Sequence, residues 1–277
     1  MLRVIGKITT ILLLMGLFGP STTFAQTPLP AELIPFWNDR EASSRMRVDH
    51  TRWQEILTSY LDDQHPSGIN RFNYAAVTQV DRRKLNAYLQ YLQALEPRQY
   101  NDNEQKAYWI NLYNAMAVAL VVNDGRDLRS IRQIRAGVFT PGPWSRKDLN
   151  VVSQDLSLDD IKNGILRPIW NDARVHYALN SASLGCPNLS KTAFDGGNIE
   201  TLLDGAARAY INHARAVSVS SGQLTLSQIY EWYNTDFGNS YVEMINHISQ
   251  FAEPALAESL KASLRVSYNY DWTLNRP

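Results

Sequence analysis

With a single cysteine, Cys186, in 277 residues, this chain has no second thiol with which to form an internal disulfide. A disulfide framework is excluded, so packing has to supply the stability. Net charge is missing too, since 27 Lys and Arg balance 27 Asp and Glu. Such a balance gives no electrostatic grip on nucleic acid or on an anionic membrane. The chain has no Gly-rich phosphate loop and no GxSxG elbow, and its five histidines form no HxxxH or HExxH pair. Nucleotide-loop chemistry, a serine-hydrolase elbow and a helical zinc site are therefore not expected, and neither a metal nor a cofactor is called for. Repeats and low-complexity tracts are also lacking.

Aromatic and apolar residues are abundant. Apolar side chains make up 44% of the sequence, with 7 Trp and 14 Tyr, which is the composition of a packed globule and not of a disordered chain. The first 25 residues stand apart. Arg3 and Lys7 precede an apolar run from Ile8 to Phe18, and small residues lead to Thr23-Phe24-Ala25 before Gln26. This reads as a cleaved secretory signal over 1–25, and the run is too short for a bilayer core that needs about 20 residues. The expected location is periplasmic or secreted, with no transmembrane span after cleavage. Loss of Arg3 and Lys7 leaves 25 basic against 27 acidic side chains. The remaining length of about 250 residues suits one large domain.

Residues 26–45 read as an N-terminal arm anchored by Phe36 and Trp37, and 46–277 as a single domain with its core over 100–213. Trp53, Ile56, Leu57 and Tyr60 share a helical face, as do Leu85, Tyr88, Leu89 and Leu92 in a second helix over 81–95. Asp102 or Asn103 can cap a third helix, which runs to about Val122 before Asn123-Asp124-Gly125. Ala107, Asn111, Asn114, Val118 and Val121 form one of its stripes, and Trp109, Tyr113, Ala117 and Leu120 another. A helix apolar nearly all round belongs at the centre of a domain, where its two carboxamides need partners. A loop is expected at 140–144, a strand over 149–152 and a helix over 156–170. Alternation of Val175, Tyr177 and Leu179 with polar or small residues predicts a further strand. Helices then follow over 199–213 and 227–237, with a small hairpin at 217–224 between them. A helical stretch over 240–264 breaks at Pro254, and an extended aromatic tail covers 268–275. The expected class is α+β, mostly helical, with a small and mainly antiparallel sheet.

The segment Arg174 to Leu189 carries the most chemistry. Cys186 lies between Gly185 and Pro187, and Pro187 is suited to open a helix whose N-terminus favours thiolate. His176 is the nearest imidazole in sequence and a candidate base for a thiol nucleophile. The opposing possibility is a small buried core cysteine, since free Cys is among the most buried residue types. His50 and His65 fall in turns expected to be exposed, His213 at a helix end, and Asp159-Asp160 reads as a helix-start charge pair.

Several longer motifs bear a resemblance. Ala107-Tyr-Trp-Ile-Asn-Leu-Tyr-Asn-Ala-Met116, Leu156-Ser-Leu-Asp-Asp-Ile161, Arg174-Val-His-Tyr-Ala-Leu-Asn180 and Gly185-Cys-Pro-Asn-Leu189 occur in order. Ile229-Tyr-Glu-Trp-Tyr-Asn-Thr-Asp-Phe-Gly238 and Tyr270-Asp-Trp-Thr-Leu-Asn275 follow, with the tryptophan helix near 53 and Asn73 to Val77 ahead. With these motifs the chain resembles bacterial members of the domain of unknown function 547 family over nearly all of the expected mature length. The family pattern around the presumed strand reads His-Phe-Ala-Leu-x-Cys-Ala-Ser-x-x-Cys-Pro-x-Leu. His176 and Cys186 match its histidine and second cysteine, whereas its first cysteine falls on Ser181. Where the family commonly has Ile-Glu-His, this chain has Ile161-Lys162-Asn163. A dithiol, a nucleophile at the first cysteine or a second histidine would thus be missing.

Three functional readings remain open. In the first, the protein is an exported thiol-dependent amide hydrolase or acyl transferase. Cys186 is then nucleophile, His176 base, and Asn111 the group that orients the imidazole or binds an oxyanion. In the second, it is a non-catalytic envelope module for a peptide, glycan or small metabolite. Asn114, Tyr113, Asn180, Ser181 and Ser183 are the associated binding residues. In the third, the same motifs specify one packed core.

Overall fold

The computed structural model describes residues 30–135, 142–262 and 265–277. The expected signal segment, 1–25, lies outside the described residues, as do 140 and 141 of the expected loop. Helix α1 (Thr51–Tyr60) carries Trp53, Ile56 and Leu57 into the core. It leads through the two-residue strands β1 (Leu61–Asp62) and β2 (Arg71–Phe72) to α2 (Gln79–Gln93). The Thr78 hydroxyl caps α2 by accepting from the Asp81 N–H, so this helix starts two residues ahead of the expected Asp81.

Helix α3 (Asp102–Asp124) is the axis of the molecule. The Asn101 side chain accepts from Glu104 N–H at its start, and Gly125, at φ 75°, closes it in the left-handed conformation that glycine adopts without a Cβ penalty. From Glu104 to Val122 only Met116 is not buried, which is the outcome expected of an apolar surface on every side. Even Glu104 is buried and accepts from the backbone N–H groups of Val48 and Gly196.

The antiparallel pair β3 (Leu149–Val151) and β4 (Gln154–Leu156) precedes a π-helical segment over Asp160–Leu166, which runs into α4 (Arg167–Trp170). Single π-turns of this kind are frequent at functional sites. The segment from Val175 was expected as a strand but forms a helical turn, α5 (Val175–Ala178). Its i, i+2 alternation matches a turn lying at a seam. Val175 and Ala178 pack into the large core around α3, while Tyr177 packs into a second core around α6 (Ile199–Ile211). Strands β5 (Val217–Ser220) and β6 (Gln223–Ser227) form the expected hairpin, followed by α7 (Ile229–Trp232), α8 (Tyr241–Phe251) and α9 (Pro254–Ser259). Strand β7 (Arg265–Asn269) pairs in parallel with β6. The result is an α+β fold, mostly helical, with small sheets of two or three strands that are antiparallel apart from this one pairing. No helix among the described residues is long and apolar enough to cross a membrane.

The C-terminal tail packs back onto the chain, with Leu274 and Asn275 buried. Asn275 C=O accepts from Phe72 N–H, and Leu184 and Gly185 N–H donate to the carbonyls of Thr273 and Asp271. A Cβ on Gly185 would stand 2.7 Å from Asp271 N and 2.9 Å from Asp271 O, so close approach and not an unusual φ demands glycine here. The left-handed residue of this loop is Ala182, at φ 55°. Replacing Gly185 with Ala should displace the tail and cost about 1–3 kcal/mol, the usual cost of overpacking. Urea unfolding measures this, and an unchanged midpoint would contradict this packing.

Candidate functional site

The thiol is closed off. Cys186 is 1% exposed, and its S–H donates to Ser183 C=O at 2.8 Å. Burial pushes its pKa up, with the hydrogen bonds at Ser183 and the Arg215 charge opposing only in part. Pro187 opens no helix, since 187–190 is irregular, so the helix N-terminus expected to favour thiolate is not there. Neither His176 nor Asn111 is among the hydrogen-bond partners of the sulfur.

The two carboxamides of α3 act on backbone. Asn111 Nδ2 donates to Phe194 C=O at 2.7 Å while its Oδ1 accepts from Phe194 N–H at 3.1 Å. Asn114 does the same one turn on, with Ala178 C=O and Asn180 N–H both at 2.8 Å. Asn180 extends the brace from its own side chain to Pro187 C=O and Ala182 N–H. The imidazole that Asn111 meets is that of His50, not His176. His50 was expected in an exposed turn. It is buried because Tyr88 and α3 cover it, and burial lowers its pKa to about 4.

His176 belongs to a different cluster. Its Nε2 lies 2.7 Å from Asp236 Oδ2. Arg167 binds the same carboxylate through two nitrogens, Nε at 2.5 Å and Nη2 at 2.9 Å, and reaches Asn163 Oδ1 through Nη1. Burial is the main cause that lowers the His176 pKa to about 4; Asp236 opposes it, and Lys162 and Arg167 add to it. The ring is therefore neutral at pH 7. Its N–H donates to Asp236 from Nε2, which leaves Nδ1 as a buried acceptor with no partner among the described residues. The Asp236 carboxyl is held far below the usual range by the His176 and Arg167 bonds, which overcome its burial. Tyr233 covers the imidazole at 4.5 Å between ring centroids, and Lys162 Nζ lies 3.9 Å from the centroid of the same Tyr233 ring. Asp236, Arg167 and Tyr233 were not singled out from the sequence. The motif Ile229 to Gly238 held the signal for two of them.

Tyr113 is buried with Ser181 as its side-chain hydrogen-bond partner, and burial raises its pKa. Ser183 Oγ meets Tyr270 OH at 3.0 Å. Tyr270 opens onto a group of half-buried rings. Trp272 lies 4.6 Å from Tyr270, 5.3 Å from Trp144 and 5.6 Å from Trp232, and Trp232 lies 5.0 Å from Tyr270. The Arg132 guanidinium sits 5.2 Å over Trp272, and the buried Trp232 Nε1 has no acceptor among the described residues. The rings of this wall keep part of their faces exposed for stacking, while the Trp232 indole N–H is buried beneath them. Among the described residues no three His, Cys, Asp or Glu side chains gather as metal ligands.

Two measurements check this geometry. Iodoacetamide at neutral pH should leave Cys186 unmodified in the folded protein and alkylate it after denaturation; rapid native labelling, mapped by mass spectrometry, would contradict the sealed thiol. Stability should also depend on pH through His50 and His176. Both are neutral in folded and unfolded states above about pH 6.5, where their contribution is fully present. As pH falls toward 4, the unfolded chain takes up protons that the folded one refuses. Unfolding free energy should therefore drop by several kcal/mol, as an order of magnitude, between pH 6.5 and 4. A urea midpoint that is flat from pH 7 to 4.5 would contradict the two neutral imidazoles.

Residues 97–211 match the family model described as "Protein of unknown function, DUF547". That span takes in α3, the π-helical segment, α5, the Cys186 loop and α6, while Tyr233, Asp236 and three rings of the wall lie beyond it. No curated protein and no solved structure matches the chain. The shown likeness to the domain of unknown function 547 family is thus that of residues 97–211, less than half of the chain.

Proposed function

We propose that this protein is an exported, non-catalytic binding module of the cell envelope, acting in the periplasm or outside the cell. It holds a peptide or glycan segment against the wall formed by Trp144, Trp232, Tyr270 and Trp272. What carries the proposal is the contrast between four half-buried rings in mutual contact and a thiol sealed by burial. Ring faces suit the apolar faces of sugars and the extended backbone of peptides. A thiol-dependent mechanism through Cys186, His176 and Asn111 has less support, because each of the three is committed to a different partner. Export is supported by the basic start, short apolar run and small-residue exit of the first 25 residues.

Tryptophan fluorescence, titrated with soluble cell-wall glycan fragments and with peptides, tests the binding. Trp272→Ala should weaken the tightest of these about tenfold, the scale of one lost stacking contact. Cys186→Ser should leave it unchanged. A folded Cys186→Ser protein that loses its biological activity would overturn the proposal in favour of thiol chemistry. Cell fractionation should recover a chain starting at Gln26 outside the cytoplasm.

A further inference from the structure

Apart from the aromatic wall, a cavity of about 630 Å³ is lined by residues 48–50, one face of α1 from Thr51 to Ser59, Lys84 of α2 and the 192–198 segment. His50 lines it and is 8% exposed. The Tyr88 hydroxyl lies 2.6 Å from His50 Nδ1; burial keeps it protonated, and it has no other acceptor among the described residues. Tyr88 O–H therefore donates to Nδ1, and the ring's own proton sits on Nε2. The Asn111 amide nitrogen stands 3.4 Å from Nδ1 and 3.3 Å from Nε2. A group equidistant from both nitrogens in the ring plane would collide with Cε1, so this amide lies over the ring face, and it already donates to Phe194 C=O. Nε2–H is thus a donor without an in-plane acceptor among the described residues, on a side chain that borders a cavity.

The charge around that donor is mostly negative. Asp49, Glu55 and Asp195 line the cavity, and Lys84 is the one Lys or Arg in its lining. Lys84 is taken up by Glu55 at 2.9 Å and Asp81 at 3.1 Å. Asp49 is held by Thr51. Asp195 commits Oδ1 to the N–H groups of Gly197 and Asn198, which leaves Oδ2 with no partner among the described residues. An occupant that satisfies both features must bring a positive charge to Asp195 and Asp49 and an oxygen acceptor to His50.

We infer that this cavity binds a small organic ammonium that carries an oxygen acceptor, the combination present at the amino terminus of a peptide. The ammonium answers the two aspartates, and the first carbonyl oxygen accepts from His50 Nε2–H. The volume suits a few residues and not a folded partner. No residue of the aromatic wall lines the cavity, so the inference stands apart from the proposed function.

Calorimetric titration of the full chain with trialanine and with N-acetyl-trialanine tests the inference, alongside ¹⁵N–¹H NMR of the His50 ring. Trialanine should bind and move the His50 Nε2 signal, and acetylation, which removes the charge, should weaken binding at least about tenfold. Asp195→Asn keeps an Oδ1 acceptor for Gly197 and Asn198 and removes the charge. It should weaken trialanine about tenfold with an unchanged melting temperature. Equal binding of the two peptides, a His50 signal that stays still at millimolar trialanine, or no binding of either peptide would overturn the inference. Should Asp195→Asn fail to fold, the comparison of the two peptides on the natural chain decides alone.

Discussion

Two carboxamides one turn apart on a buried helix hold the rest of this molecule in place. Asn111 and Asn114 each pair a donor and an acceptor with backbone that would otherwise be orphaned in the core, at Phe194 and at Ala178 and Asn180. Each such group costs about 1–3 kcal/mol when left unpaired, so four satisfied groups fix where the irregular 178–198 chain crosses α3. From Asn180 the bracing continues to Ala182 and Pro187, and the C-terminal tail then locks onto 182–185. The loop that bears the cysteine is built like a core element although it has no regular secondary structure.

That rigidity separates the polar groups by task. The sulfur is held inward against Ser183 C=O, while His176 is turned the other way into a carboxylate and guanidinium cluster beside the π-helical segment. Ionised Asp236 pairs with Arg167 and accepts from the neutral imidazole, consistent with the rule that buried charges are paired. Trp144, Trp232, Tyr270 and Trp272, by contrast, stay half-buried, and the proposed binding face rests on them. The chemistry available at such a surface is stacking and hydrogen bonding.

Much of this was legible in the sequence, and the failures have physical causes. The burial of α3 follows from apolar residues on every face, and the need for partners at Asn111 and Asn114 follows from that burial. Their partners were not readable, because both lie 60 to 90 residues away on irregular chain. The Val175 to Leu179 alternation misled because a helical turn between two cores also shows apolar residues two apart. His50 looked exposed because its cover comes from α2 and α3, not from its neighbours in sequence. Asp236 was hidden for the same reason, since nothing near Asn234-Thr235-Asp236 indicates an arginine 69 positions away.

Native-state hydrogen exchange at two backbone amides tests the clamps most directly. Asn180 N–H donates to Asn114 Oδ1 and Phe194 N–H to Asn111 Oδ1, both outside any ladder or helix. If the carboxamides organise the fold, these two protons exchange only through global unfolding, with the same free energy as interior amides of α3. Exchange through local opening, several kcal/mol below the global value as an order of magnitude, would show that the 178–198 chain moves independently of the helix and would contradict the central role given to Asn111 and Asn114.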